Sequence, residues 1–321
     1  VIAVPNLYYA NQLVDDFLNI LPSEQVHLFP VDEVLSAEMA FSSPEARADR
    51  VSALNFLMTA NAGIVVVPVA GLRKYLPTKE TWQNAQLHWE IGTEVEPEIL
   101  AQRLVLMGYE RQSMVGKPGE FSIRGSIVDV YPLNAEYPVR VELFDVEIDS
   151  IRYFEADTQR SLENLEEVTI SPMTDLVFSK ADMNHGMTRL QDALEKRLAT
   201  AKDQTETDFL EEYFGQLLSS WEQGIPTENA HYYTDFLYQQ KTTLLDYLPE
   251  NSLLFVDDYS RMMETEREIA REEAEWQTLK IEEMRVFSEQ TFGVDFHDQL
   301  RKTARNTTFF SLFQKGMGNL R

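Results

Sequence analysis

The chain has 321 residues, 44% of them hydrophobic, which is enough for two domains with cores of their own. Its 53 acidic and 28 basic residues give a formal net charge of -25, which argues against a large nucleic-acid footprint because such a field repels phosphate backbones. Cysteine is absent, which excludes disulfides, Cys-ligated zinc and thiol nucleophiles and agrees with a cytoplasmic location.

The beginning of the chain alternates apolar strands with helices. The predicted elements are a strand at Val1–Pro5, a helix at 6–21, a strand at Val26–Phe29, a helix at Pro44–Ala60 and a strand at Ile64–Val69. Continuous apolar strands separated by helices are typical of a parallel sheet covered on both faces. The longest apolar run, Ala62–Leu72, is too short to cross a bilayer. Because the chain starts inside a strand and without Met, we expect it to be a piece of a longer protein.

The pattern changes between Leu87 and Pro172. A helix is predicted at Pro97–Met107, followed by short strands that Gly and Pro separate, which indicates an inserted α+β domain with antiparallel strands. The segment Val139–Phe144 alternates with period two, so its side chains point to two faces. The core-facing residues are predicted to be Val139, Val141 and Leu143, and the residues of the opposite, wet face Arg140, Glu142 and Phe144.

A second alternating segment, Phe121–Arg124, ends at Gly125, which allows a bulge or a tight bend. If this strand neighbours Val139–Phe144, then Arg124 lies on the same face as Arg140. An aromatic beside arginines is the composition of a binding hot spot. A solvated face with cross-strand Arg–Glu pairs explains the composition equally well, and the residues alone leave both interpretations open.

The remainder of the chain returns to α/β character. The predicted elements are a helical region at Asp182–Trp221, an aromatic-rich loop at Gly224–Tyr238, a strand at Leu253–Val256, a charged helix from Ser260, its N-cap, to about Ser288, and a strand at Thr307–Phe313. The fold class is therefore an α/β, parallel-sheet domain interrupted by the inserted α+β domain.

The sequence gives little support for catalysis. It holds no G-x-x-x-x-G-K-[ST] phosphate loop and no G-x-S-x-G nucleophile elbow, and its five His residues lack metal-ligand spacing, so no cofactor or metal is predicted. Asp257 and Asp258 follow a strand as the magnesium-holding acids of nucleotide hydrolases do, but turn and cap chemistry is the simpler interpretation. The alternative is a helicase-like ATPase truncated before its phosphate loop. ATP hydrolysis by a chain extended upstream of Val1, abolished by Asp257→Asn, would favour it.

Four segments of the insert resemble one protein family. They are Gly119–Gly125 (GEFSIRG), Arg140–Asp145 (RVELFD), Ile151–Phe154 (IRYF) and Thr158–Glu163 (TQRSLE). Together they closely resemble the bacterial transcription-repair coupling factors, the Mfd family, and more distantly the excision-repair helicase UvrB. The similarity extends over the whole chain and includes Val1–Leu13, Ile64–Pro77 and Leu253–Arg261.

This resemblance implies the amino-terminal, UvrB-like module of the family, in which a degenerate RecA/helicase-like domain without ATPase function carries an inserted domain that binds UvrA. Residues 1–86 and 173–321 would form the degenerate domain, and residues 87–172 the insert. The family's UvrA-contacting residues fall on Arg124, Arg140 and Phe144. Two further positions match UvrB residues of the same contact, Arg111 and Glu142.

The resemblance also implies a role for the longer protein. It would continue into modules that bind RNA polymerase and translocate on DNA, and a carboxy-terminal domain would mask the UvrA-binding face. The chain would then be a non-catalytic adaptor that recruits UvrA to stalled RNA polymerase, with little nucleic-acid binding of its own. Without the masking domain, it should behave as the unmasked form.

Overall fold

The computed structural model describes residues 1–33, 43–59, 62–133, 135–225, 229–303 and 306–311. The chain divides into two compact units. The parallel-sheet unit comprises residues 1–46, 53–78 and 178–321, and the inserted unit comprises residues 47–52 and 79–177. The predicted α/β class, with a parallel sheet and separate antiparallel strands, is confirmed. The predicted domain boundaries near residues 87 and 172 stay predictions.

The described residues form strands and helices whose bounds are as follows. The strands are β1 (Ile2–Val4), β2 (Val26–Leu28), β3 (Ile64–Pro68), β4 (Leu87–Glu90), β5 (Glu110–Arg111), β6 (Glu120–Arg124), β7 (Ile127–Val130), β8 (Val139–Phe144), β9 (Glu147–Phe154), β10 (Ser161–Leu165), β11 (Glu167–Ile170), β12 (Leu253–Asp257) and β13 (Asn306–Phe310). The helices are α1 (Leu7–Leu18), α2 (Pro44–Thr59), α3 (Val69–Arg73), α4 (Lys79–Ala85), α5 (Pro97–Leu106), α6 (Lys180–Leu198), α7 (Gln204–Glu222), α8 (Thr234–Leu237), α9 (Leu244–Tyr247), α10 (Tyr259–Glu282) and α11 (Phe296–Lys302).

A five-stranded parallel sheet in the order β13-β12-β1-β3-β2 forms the centre of the parallel-sheet unit. Helix α1 packs on one face of it, where Val4, Ala10 and Val66 are buried together. The side chain of Asn6 caps α1 by accepting a hydrogen bond from the backbone N–H of Tyr9 at 3.1 Å. The strands predicted from the apolar segments of this unit are therefore confirmed, and the ends predicted for α2 and β13 at residues 60 and 312–313 lie outside the described residues.

The helical region predicted at Asp182–Trp221 is confirmed, whereas the N-cap predicted at Ser260 was wrong. The helical region 182–221 is two helices, because Asp203 starts α7 by accepting a hydrogen bond from the N–H of Glu206 at 2.9 Å. Helix α10 is capped by Asp258 and not by Ser260. The carboxylate of Asp258 accepts from the N–H of Arg261 at 3.3 Å, with Asp258 itself in the left-handed region at φ 46°. The cap chemistry predicted for the Asp pair is confirmed for Asp258.

The aromatic segment predicted as a loop is largely helical. A 3-10 turn, Ala230–Tyr233, leads directly into α8. The buried ring of Tyr233 meets Trp221 of α7 edge to face, with the ring centroids 5.7 Å apart. Since these aromatic side chains lie in a helical core, composition alone misled the prediction for residues 230–237.

A six-stranded sheet in the order β10-β9-β8-β7-β6-β5 forms the main part of the inserted unit. Its pairs are antiparallel except for β5 and β6, which run parallel. Strand β7 lies between β6 and β8, so the Phe121 and Val139 strands belong to one sheet but do not pair directly. At one edge β5 has two residues, and at the other the register of β10 is irregular between Ser161 and Asn164. A separate antiparallel pair joins β4 to β11.

One face of the six-stranded sheet packs against α5. The buried residues are Leu100 and Leu104 from α5 and Phe121, Val128, Val130, Val139, Val141, Leu143, Ile148 and Ile151 from the sheet. The predicted core positions of β8 are therefore confirmed. Ile148 and Ile151 are three residues apart on β9 yet both buried, because the β8–β9 register shifts after Glu142. None of the helices in the described ranges is long and apolar enough to cross a membrane.

Candidate partner-binding surface

Two tight turns lie at the same end of the six-stranded sheet. Gly125–Ser126 joins β6 to β7, and Asp145–Val146 joins β8 to β9. Because the intervening strands alternate in direction, both turns meet at one end, where the carbonyl of Ser126 accepts from the N–H of Leu143 at 2.8 Å. Gly125 has φ +62°, a conformation that glycine adopts without strain, so the predicted tight bend is confirmed.

Phe144 is the most exposed large apolar residue at this end. It is 79% exposed and stands at the last position of β8, opposite Glu147 across the turn. Single exposed apolar residues are ordinary on protein surfaces. A full aromatic ring at a strand end that flanks charged side chains is, however, the kind of group that dominates binding energy at interfaces.

Arg124 stands at the end of β6, beside the Gly125 turn. Its side chain is 40% exposed, and its Nη2 donates to Oδ2 of Asp129 at 2.7 Å. The register of β6, β7 and β8 aligns Arg124 with Ile127 and Ile127 with Glu142, so Arg124 and Glu142 share a face of the sheet. We call the side chains of Arg124, Glu142 and Phe144 the tip surface.

Arg140 lies beneath the tip surface and is only 9% exposed, so its predicted position on a wet face was wrong. Its Nε and Nη2 donate to the two carboxylate oxygens of Asp129 at 2.7 and 2.8 Å, and Nη2 also donates to Oε1 of Gln159 at 2.7 Å. The guanidinium stacks on the ring of Phe154, 4.1 Å from its centroid. The hydrogen bond to Asp129 is the main reason that the pKa of the Arg140 guanidinium is raised above its ordinary value.

Glu142 forms a cross-strand ion pair with Arg152 of β9, and its side chain is 39% exposed. The hydrogen bond from Arg152 is the main reason that the pKa of the Glu142 carboxyl lies below its ordinary value of 4.5. The pair belongs to the solvated Arg–Glu type that the sequence left open, and at this exposure it contributes under about 1 kcal/mol.

Substituting Glu142 by Gln is expected to lower the free energy of unfolding slightly at pH 7. A carboxyl whose pKa is lower in the folded state contributes its full stabilisation of the fold at pH values above its pKa in the unfolded chain. That contribution is lost as the pH falls through the pKa of the folded state. The difference between Glu142→Gln and the parent should thus shrink as the pH falls below the ordinary carboxyl value of 4.5 and vanish below the folded pKa. Urea unfolding at several pH values measures it, with the exposed Glu163→Gln as control. A difference that stays constant with pH would contradict the ion pair.

Arg111 is not brought to the tip surface. It is exposed on the short edge strand β5, where the register aligns it with Phe121, whose side chain faces the core.

Asp257 and Asp258 belong to the parallel-sheet unit, at the end of β12. Burial is the main cause of the raised pKa of Asp257, and the neighbouring Asp258 adds to it. Within the described ranges, no group of three or more potential ligands is arranged to hold a metal ion.

Asp129 is the residue of this region that sequence reasoning missed. It lies on β7 between Val128 and Val130 and is fully buried. A carboxylate between two valines on a buried strand needs a cation beside it, since an unpaired buried charge is very costly. That requirement, applied to Ile127–Val130, could have indicated a buried cationic partner for Asp129, but it names neither that partner nor the pairing of β7.

Most of the inserted unit matches a known family of domains. Residues 87–176 match the family described as the UvrB interaction domain. The chain is 39% identical over 308 residues to the transcription-repair-coupling factor of Bacillus subtilis strain 168, covering 96% of this chain and 26% of that protein. It is 32% identical over 320 residues to the transcription-repair-coupling factors of Staphylococcus aureus strains bovine RF122 / ET3-1 and MRSA252, covering 97% of this chain and 26% of each protein. The chain thus spans about a quarter of the length of these relatives.

Proposed function

We propose that this chain, which belongs to the transcription-repair coupling factor family as its UvrB-like module, binds UvrA through the inserted unit without catalysing a reaction. The observation that carries the proposal is the exposed ring of Phe144 at the same end of the sheet as the half-exposed Arg124. Both residues lie within the segment that matches the UvrB interaction domain. The name of that domain and the resemblance of its motifs to UvrB support UvrA as the partner.

The chemistry of the tip surface favours a partner with an apolar pocket next to carboxylates. Phe144 supplies a rigid apolar group, and burial of such a ring stabilises a complex in proportion to the area that leaves water. The guanidinium of Arg124 has five N–H donors, and its exposed part can bond a partner carboxylate. Arg140 is buried, so its contribution to binding is indirect. It holds the carboxylate of Asp129, which in turn accepts from Arg124.

Reversing the charge of Arg124 with Arg124→Glu is expected to weaken UvrA binding about tenfold, because a like charge then faces the partner's carboxylates. Arg267→Glu is the matched control, since it makes the same change of net charge at an exposed arginine of α10, outside the inserted unit. Calorimetry at equal ionic strength measures both. Parental affinity in Arg124→Glu, or equal losses in the two variants, would contradict a binding role for the tip surface.

We propose that the longer protein recruits UvrA to stalled RNA polymerase. Its other modules would engage RNA polymerase and DNA in the cytoplasm, and the tip surface would bring UvrA to the stalled complex. A domain outside this chain would mask the tip surface until then. The module alone should accordingly bind UvrA without prior activation.

A further inference from the structure

The carboxylate of Asp129 is shared by two arginines. It is fully buried, and it accepts from Arg140 at 2.7 and 2.8 Å and from Arg124 at 2.7 Å. The three residues come from three adjacent strands, β6, β7 and β8, and the register sets Asp129 directly opposite Arg140. The tip surface is thus connected to the interior by a chain of charge-assisted hydrogen bonds.

The two arginines are held very differently. Arg140 donates to both oxygens of Asp129 and to Gln159, and it stacks on Phe154, so its guanidinium is fixed. Arg124 reaches Asp129 through Nη2 alone, and 40% of its side chain is exposed. Arg140 therefore fixes the carboxylate, and the carboxylate orients Arg124.

Gln159, a loop residue with a strained backbone, also holds Arg140 in place. Gln159 has φ +59°, which a residue with a side chain adopts at a cost. Its side-chain oxygen accepts from Arg140, and its side-chain nitrogen donates to the carbonyl of Ala156 at 2.7 Å. The loop 155–160 thus holds Arg140 through Nη2, the same nitrogen that donates to Oδ2 of Asp129.

We propose that Asp129 is the positioning residue of the tip surface, which holds the Arg124 guanidinium in the orientation that a partner carboxylate requires. The inference rests on the proposed function, and it adds a residue that no partner could touch. An arginine side chain loses much rotamer freedom when it is fixed. Because Asp129 fixes Arg124 before the encounter, less of that cost falls on binding.

The test is a double-mutant cycle in UvrA affinity. Asp129→Asn keeps the size of the side chain and removes its charge, and it is expected to weaken UvrA binding about tenfold. In the Arg124→Ala background the same substitution should change the affinity less than twofold, because its effect passes through Arg124. Equal losses in both backgrounds, or no loss in either, would overturn the positioning role.

A matched control separates positioning from general destabilisation. Asp175→Asn removes another fully buried carboxylate of the inserted unit, which pairs with Arg50 at 2.9 Å and lies outside the six-stranded sheet. Its UvrA affinity should stay within twofold of the parent, and a loss as large as that of Asp129→Asn would overturn the proposal. Circular dichroism reports the folded fraction of each variant.

A second variant serves if Asp129→Asn does not fold. Gln159→Ala loosens Arg140 without touching the buried carboxylate, and it should weaken binding about threefold in the parent and not in the Arg124→Ala background. Loss of binding in Phe144→Ala without coupling between residue 124 and either Asp129 or Gln159 overturns the positioning role alone. Parental binding by both Phe144→Ala and Arg124→Glu overturns the proposed function as well.

Discussion

Phe144→Ala is expected to weaken binding to UvrA about thirtyfold while leaving the fold intact. Truncation of a central aromatic anchor costs on the order of 2 kcal/mol of binding free energy, and about 1.4 kcal/mol corresponds to a factor of ten. The ring is 79% exposed in the free chain, so its removal takes little from the core. We expect the free energy of unfolding to change by less than about 0.5 kcal/mol.

Calorimetric titration of UvrA with the purified chain measures this effect. Leu106→Ala is a suitable control, because Leu106 is also a large apolar residue of the inserted unit, is 55% exposed and lies on α5 away from the turns. Its affinity for UvrA should equal that of the parent. If Phe144→Ala binds as tightly as Leu106→Ala, the tip surface is not the anchor of the contact.

Phe121→Ala is expected to act on stability, which Phe144→Ala leaves nearly unchanged. It should lower the free energy of unfolding of the inserted unit by about 3–5 kcal/mol. Phe121 lies on β6 opposite Val130, is fully buried and belongs to the core under α5. Truncation removes the transfer free energy of a phenyl ring and leaves a cavity that a well-packed sheet closes only in part. The loss is a large share of the stability of a typical domain.

Hydrogen exchange of residues 87–176 under native conditions measures the effect locally, because it reports opening of this unit without requiring the whole chain to unfold in one step. Phe144→Ala is the control, since it makes the same chemical change at an exposed position of the same sheet. Equal protection in the two variants would contradict the assigned core.

The side-chain pattern of β8 was predictable from its own residues. Alternation is a local property, and it placed Val139, Val141 and Leu143 in the core as observed. The burial of Arg140 was not predictable in this way, because it depends on Asp129, which is eleven residues away and comes opposite only when β7 pairs with β8. The four residues of β7 are too few for their hydrophobic pattern to predict a strand.

Helix starts show a similar limit. Ser260 and Asp258 are both good capping residues, and sequence alone does not rank two candidates that stand two positions apart. The structure selects Asp258, whose backbone bends into the left-handed region directly after β12. For Arg111 the limit is register, since only the pairing of β5 with β6 shows that it aligns with a core-facing residue.

The edges of the six-stranded sheet restrict how the inserted unit can meet another protein. A regular, exposed edge strand invites a foreign strand to add to the sheet through backbone hydrogen bonds. Here one edge is the two-residue β5, and the other is β10, whose register is irregular and whose exposed residues include Glu163. Both edges are poor templates for strand addition and for self-association, so selectivity for a partner is left to the side chains at the strand ends.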